Sequence, residues 1–181
     1  MAWITTKEGK HINTDWFDKD KQIAQNKEQA DERNGISISK DNVSNFGKSG
    51  TYTAYRSGDI FDSPMGYLSF GLEESQSYLY AEESGKPIEK YDIQIKNPYV
   101  LTGNDFDKMQ DVIAKKFAGE SYLDKSTVEE MRKVQKHAAE EMEKQGYDAI
   151  LMDKKNNITG KHQYEINLLN KYKKNANRKG N

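Results

Sequence analysis

Residues 147–169 read "YDAILMDKKNNITGKHQYEINLL". Ala149, Ile150, Leu151 and Met152 make a short, continuous apolar run, the signature of a buried strand. The segment "NNITG" (156–160) supplies turn residues. A second apolar run, Ile166, Leu168 and Leu169, follows and pairs back as a hairpin. Glu165 stands at the mouth of that last strand, two residues after Gln163. Most glutamates are solvated and need no explanation, so a further role for Glu165 requires partners from elsewhere in the chain.

Working outward, the segment before this hairpin is helical. Residues 126–146, "STVEEMRKVQKHAAEEMEKQG", open with a Ser-x-x-Glu capping box (Ser126, Glu129) and close on Gly146. In "NDFDKMQDVIAKKFAG" (104–119), Phe106, Met109, Val112, Ile113 and Phe117 recur at helical spacing. Earlier still, "IEKYDIQIKNPYVL" (88–101) puts Tyr91, Ile93 and Ile95 on one strand face and bends at Asn97-Pro98. "LEESQSYLYAEESG" (72–85) reads as a helix stopped by Gly85. "YLSF" (67–70) is a short strand, and "DIFDSPMG" (59–66) is a loop. "TYTAYRSG" (51–58) alternates as a strand. The order is α+β with mixed or antiparallel sheets and flanking helices. A doubly wound sheet is excluded, because the early strands are too close for repeated crossovers. There is no G-x-G-x-x-G, no P-loop and no G-x-S-x-G elbow.

The N-terminal part is different in character. A helix is expected over 15–32, capped by Thr14 or Asn13, with Trp16, Phe17, Ile23, Ala24 and Ala30 as a thin apolar stripe. Residues 34–50 read as loop or linker. The expected division is an N-terminal helical segment with linker (1–48), a main domain (49–172) and a basic polar tail (173–181). The N-terminal helix either docks a partner or braces the main domain.

Bulk properties narrow the class. The 181 residues are 31% charged and 34% hydrophobic, so the core is economical; 11 Tyr, 6 Phe and 2 Trp supply much of its burial. A net charge of −1 gives no overall field for nucleic acid or an anionic membrane. The absence of cysteine excludes disulfides, thiol nucleophiles and Cys-type zinc sites, and fits a reducing compartment. The three histidines, His11, His137 and His162, lack metal-ligand spacing, so no metal is expected. No apolar run approaches the about 18 residues of a spanning helix, and the start lacks a signal-peptide pattern. The expected location is the cytoplasm, with no membrane partner.

Three polar residues lie at strand ends: Arg56 in "YRSG", Ser69 in "YLSFG" and Glu165 in "QYE". Taken singly they are a surface ion pair, a helix cap and a solvated carboxylate. Taken together, strand-Arg, strand-Ser and a distal Gln-x-Glu resemble the Arg–Ser–Glu constellation of the ADP-ribosyltransferase superfamily. "GYLSFGLEESQSYLYA" resembles its strand-then-helix segment. "YDIQIKNPYVL" and "GYDAILMD…G…YE" resemble the later strands of small phage and mobile-element members, although Ala149 stands where Gly is commoner. The resemblance covers about residues 50–172. The opening "WITTKEGKHINTDWF" resembles the starts of bacteriophage-associated proteins.

The resemblance implies NAD as substrate and transfer of ADP-ribose to a host protein or nucleic acid inside the host cell. In a phage setting the acceptor would be a defence or transcription component. It implies that Glu165 stabilises an oxocarbenium-like ribose and holds its 2′-hydroxyl. Arg56 grips the diphosphate, Ser69 orients Glu165 and lines the pocket, and Gln163 helps choose the acceptor. An aromatic stacks on nicotinamide, with Phe70, Tyr80 and Tyr67 as candidates. Two other readings stay open. One is an inactive binding or scaffold module of the same fold. The other is a small ribonuclease-type toxin using His162, Glu165 and the basic tail.

Overall fold

The computed structural model describes residues 3–5, 11–13, 44–78, 81–82, 85–155 and 162–179. They belong to two compact units, Met1–Ser37 and Ile38–Asn181. In the first unit β1 (Trp3–Thr5) pairs antiparallel with β2 (His11–Asn13), Ile4 opposite Ile12. The helix expected over 15–32 lies outside the described residues.

The second unit is built on β3 (Gly50–Ser57), β4 (Tyr67–Gly71), β5 (Ile88–Ile95), β6 (Pro98–Gly103), β7 (Ala149–Lys155), β8 (His162–Leu169) and β9 (Ala176–Arg178). Among the described residues these seven form one sheet in the order β6-β7-β8-β4-β3-β5-β9. Neighbours are antiparallel except β6 and β7. A parallel pair needs a crossover, and the chain supplies it with helices α1 (Phe106–Ile113) and α2 (Val128–Lys144). The architecture is therefore α+β with a mixed sheet.

Side-chain alternation gives the sheet two apolar faces. Tyr52, Ala54, Phe70, Ile93, Leu151 and Ile166 share one buried cluster. On the other face Tyr67, Ile150, Met152 and Leu169 pack with Met109 and Ile113 of α1 and Ala138 and Met142 of α2. Each fully buried Leu, Ile or Phe contributes about 1.5–3 kcal/mol of transfer free energy.

Several local readings need correction. The capping box sits one residue later than expected. Thr127 is the N-cap, its side chain accepts from Glu130 N–H, and the Glu130 carboxylate reaches back to Thr127 N–H. Ser126 also donates to Glu130, from both its amide and its hydroxyl, while Glu129 pairs with Lys133 one turn on. The sequence carries both registers; Thr127 is extended, with φ −126° and ψ 151°, so the helix begins at Val128 and the second register is used. Phe106 and Val112 are exposed, at 38% and 47%, whereas Met109, Ile113 and Phe117 are buried. A wide π turn over Ala114–Ala118 follows α1. An α-helical step of four residues overshoots one turn, and the wider turn brings Phe117 back onto the buried stripe.

The stretch 34–50, read as linker, carries structure at its end. Phe46 packs on Tyr164 at 4.8 Å between ring centres, and the Tyr52 hydroxyl shares its proton between the carbonyls of Asn45 (2.6 Å) and Lys48 (2.7 Å). At the other end, residues 173–178, read as a tail, hold the last part of a 3-10 helix (Asn170–Asn175) and then β9, which pairs with β5. Arg178 pairs with Glu89, Lys179 with Asp92 at 2.9 Å and Lys173 with Asp62 at 2.5 Å. The hydrogen bond from Lys179 holds the Asp92 carboxyl below the usual range. These basic side chains are matched by carboxylates of the same unit, which removes them from a free basic patch.

Between β5 and β6 the expected bend at Asn97-Pro98 is real. Pro98 has no N–H to offer, and the buried Asp148 accepts from Lys96 N–H (2.6 Å) and Asn97 N–H (3.1 Å). Gly85 ends a helical turn with its N–H on Ala81 O at 2.9 Å and φ of +65°, a conformation that suits glycine. The earlier part of that turn is a 3-10 helix over Glu74–Ser77.

Candidate functional site

β3 pairs with β5 at eight positions, Gly50 to Ser57, and β4 pairs with β8 at five, Tyr67 to Gly71. Between β3 and β4 only Tyr55 and Gly71 are partners. The two strands therefore part inside an otherwise continuous sheet. Buried backbone groups that lose a ladder must find other partners, and here side chains provide them. Arg56 Nη1 donates to Ser69 O at 2.8 Å. Ser77 Oγ donates to Tyr55 O at 3.0 Å. On the β5 side of β3, Ser57 Oγ donates to Lys86 O at 3.0 Å.

A cavity of about 210 Å³ opens in this gap. Arg56 from β3, Ser69 and Phe70 from β4, Glu165 from β8, Gln76 from the 3-10 helix and Phe61 from the 58–66 loop all line it. The loop is fastened from behind. Asn170 accepts from Ser63 N–H (3.1 Å), donates to Ser63 O (2.9 Å), and its own N–H reaches Gly66 O (2.9 Å). The Arg56 guanidinium carbon lies 5.6 Å from the Phe61 ring centre and 5.7 Å from that of Phe70. A cation between two rings is held in place by their negative faces.

The residues singled out from sequence distribute as follows. Arg56, Ser69, Phe70, Tyr67 and Glu165 all line this same cavity. The cavity lining does not include Gln163, which shares the Glu165 face of β8 by the alternation of the strand. Tyr80 lies outside the described residues. Ser69 does not hydrogen-bond Glu165: its hydroxyl donates to Asn167 Oδ1 at 2.5 Å. Register explains this, since Ser69 stands opposite Asn167 and Gly71 opposite Glu165. Asn167 is fully buried and spends its amide on Met152 Sδ at 2.9 Å. Glu165 instead has Lys154 Nζ at 3.4 Å, and that ammonium lies 4.9 Å above the Phe106 ring.

The aromatic candidates also differ from expectation. Phe70 is 1% exposed and stands edge-on to Tyr91 at 5.4 Å; Tyr67 is 3% exposed and its hydroxyl accepts from Gln135 at 3.2 Å. Both serve the core first. Phe61, 47% exposed, is the aromatic of the cavity rim. Sequence reading passed over it because it lies in "DIFDSPMG", a segment with no periodicity. Gln76 and Asn167 were also passed over. Asn167 had a signal, since it lies two residues past Glu165 on the same strand face.

Other chemistries find less support. His162 and Glu165 are three residues apart on β8, so they project from opposite faces. His162 Nδ1 is 2.7 Å from Asp153 Oδ1, and its ring is near parallel to that of Tyr164. The hydroxyl protons of Ser57, Ser69 and Ser77 are committed to Lys86 O, Asn167 Oδ1 and Tyr55 O. No histidine lines the cavity among the described residues, so an activated serine lacks its base. Nor do the described residues hold a group of three metal-ligating side chains, or a helix long and apolar enough to cross a membrane.

Comparison with protein-family models, curated proteins and solved structures found no match.

Proposed function

We propose that the protein is an NAD-dependent mono-ADP-ribosyltransferase acting on a host macromolecule. The observation that carries this reading is the meeting of Arg56, Ser69 and Glu165, separated by up to 109 positions in the chain, on the wall of one cavity. Cavity size supports it too. A cavity of about 150 Å³ holds one benzene, so about 210 Å³ takes a single substituted ring and leaves the rest of a dinucleotide at the surface.

In this reading the nicotinamide ring enters the gap between β3 and β4. The bond between ribose C1′ and the ring nitrogen breaks, and nicotinamide leaves with the bonding pair. Positive charge develops on the ribose, where the Glu165 carboxylate stabilises it. The acceptor nucleophile then bonds to C1′ and gives up its proton. Arg56 brings positive charge to the diphosphate end. Phe61 closes the rim against water.

A second reading, a binding module without catalysis, draws on two contacts. The Ser69 hydroxyl is turned to Asn167, and Glu165 is paired with Lys154. One assay separates the two: the pure protein is incubated with NAD+ labelled in the adenylate phosphate, with and without host lysate. Label on a macromolecule supports the transferase, free ADP-ribose alone supports a glycohydrolase, and NAD+ binding without turnover supports the module. RNA cleavage with no NAD+ present would refute the class.

A further inference from the structure

We infer that the side-chain amide of Gln76 reads the ring that enters the cavity and selects one bearing a primary carboxamide over one bearing a carboxylate. The inference rests on the nicotinamide-nucleotide reading above and assigns its specificity.

Gln76 belongs to the 3-10 helix Glu74–Ser77, just past β4, and lines the same cavity as Glu165. Its position depends on Gly71. A Cβ on Gly71 would lie 2.6 Å from Gln76 Oε1 and 2.7 Å from Gln76 Cβ, distances no real methyl group tolerates. Gly71 is opposite Tyr55 on one side and Glu165 on the other. The missing side chain is thus a notch at the one point where β3 still meets β4, next to the candidate carboxylate, and Gln76 fills it.

The amide is oriented and half used. Gln76 Oε1 accepts the Glu73 N–H in a long bond of 3.4 Å, which turns Nε2 away from that backbone amide. Nε2 makes no hydrogen bond to any described residue. The side chain is partly buried, but Nε2 is not among the buried unpaired atoms and stays accessible from the cavity, open to a ligand's acceptor. Neighbouring hydroxyls of Ser57, Ser69 and Ser77 have spent their protons on the fold. Gln76 therefore offers the cavity a neutral N–H donor, with a second lone pair on Oε1 beside it. A primary carboxamide matches both: its C=O accepts from Nε2 and its N–H donates to Oε1. A carboxylate has no proton to give, and its second oxygen would face Oε1 lone pair to lone pair.

The test uses the full chain, with NAD+ and nicotinic acid adenine dinucleotide as paired probes. Affinity is measured by calorimetry and turnover by release of the free ring. Wild type should favour NAD+ by about 100-fold or more in kcat/KM, the scale expected when buried polar groups are left unpaired by the wrong ligand. Gln76→Leu, close in volume, should bring the two within about fivefold by weakening NAD+. Gly71→Ala should act in the same direction by displacing the amide; Gln76→Leu stands alone if Gly71→Ala does not fold. Equal use of both dinucleotides by wild type, or an unchanged preference in Gln76→Leu, overturns the inference while leaving the transferase reading intact. A wild-type protein that neither binds nor cleaves either dinucleotide overturns both.

Discussion

Arg56 on β3 donates from Nη1 to the backbone carbonyl of Ser69 on β4 at 2.8 Å, across the place where the two strands stop pairing. A side chain there does what a ladder hydrogen bond does elsewhere in the sheet. The same contact keeps the gap open and places a cation on its wall.

Arg56→Lys should therefore affect folding and ligand binding together. Lysine keeps the charge but loses the planar fork, leaving the Ser69 carbonyl without this donor and the two rings without a flat partner. We expect a loss of about 1–2 kcal/mol, read as a lower melting temperature, and dinucleotide affinity weakened about tenfold by calorimetry. An unchanged melting temperature would show that the clasp is dispensable.

Glu165→Gln keeps shape and removes charge. If the carboxylate acts on the developing ribose cation, NAD+ turnover falls by about a hundredfold or more. NAD+ affinity changes far less, because the interaction is strongest in the transition state. Turnover within about threefold of wild type would remove Glu165 from the mechanism.

The buried pair Ser69–Asn167 should show energetic coupling. Asn167→Leu leaves the Ser69 hydroxyl without its acceptor, at a cost of about 1–3 kcal/mol. Adding Ser69→Ala removes the stranded hydroxyl, so the double variant should be more stable than the sum of the single losses. Denaturant midpoints of the four proteins give the coupling, expected at about 1 kcal/mol. Simple additivity would mean that the 2.5 Å contact contributes nothing to stability.

Asp111 on α1 should make stability fall in acid. Burial works to raise its carboxyl, but the combined hydrogen bonds from Lys115, Ser121 and the Leu123 N–H outweigh that and hold it at about 2. A carboxyl depressed in the folded state stabilises the fold above its unfolded value, near 4, and loses that contribution as pH falls toward 2. Asp111→Asn should flatten the stability profile between pH 4 and 2 by on the order of 1 kcal/mol after solvent screening. Parallel profiles for variant and wild type would contradict this.

A chain beginning at Ile38 should melt higher than one beginning at Ser49. The shorter chain lacks Phe46, which packs on Tyr164, and both carbonyls that the buried Tyr52 hydroxyl uses. An unsatisfied buried hydroxyl alone costs about 1–3 kcal/mol, which is several degrees for a domain of this size. Equal melting temperatures would return residues 38–48 to the status of linker.

Much of the fold was legible because it depends on local periodicity. The alternation around Tyr91, Ile93 and Ile95 marks a strand and its buried face, and all three are buried. The turn between two apolar runs marks the β7–β8 hairpin. Where two local signals compete, sequence loses resolution: Ser126-x-x-Glu129 and Thr127-x-x-Glu130 are equally good capping boxes, and the folded chain uses the second. Short elements with polar side chains were invisible. β9 reads as a basic tail because its residues pair through backbone and through carboxylates far back in the chain.

By itself, the sequence determined the longer strands β3 to β8, the two helices that link β6 to β7 and the faces these bury, since each follows from a period of about two or about 3.6 residues. Only the tertiary structure decided that β3 and β4 part after Tyr55 and Gly71, that Ser69 turns to Asn167, and that Phe61 and Gln76 line the same cavity as Glu165. Those facts depend on register between strands, where one residue of slip reverses every side chain, and on a glycine whose absent Cβ admits a neighbouring amide. No local pattern encodes either.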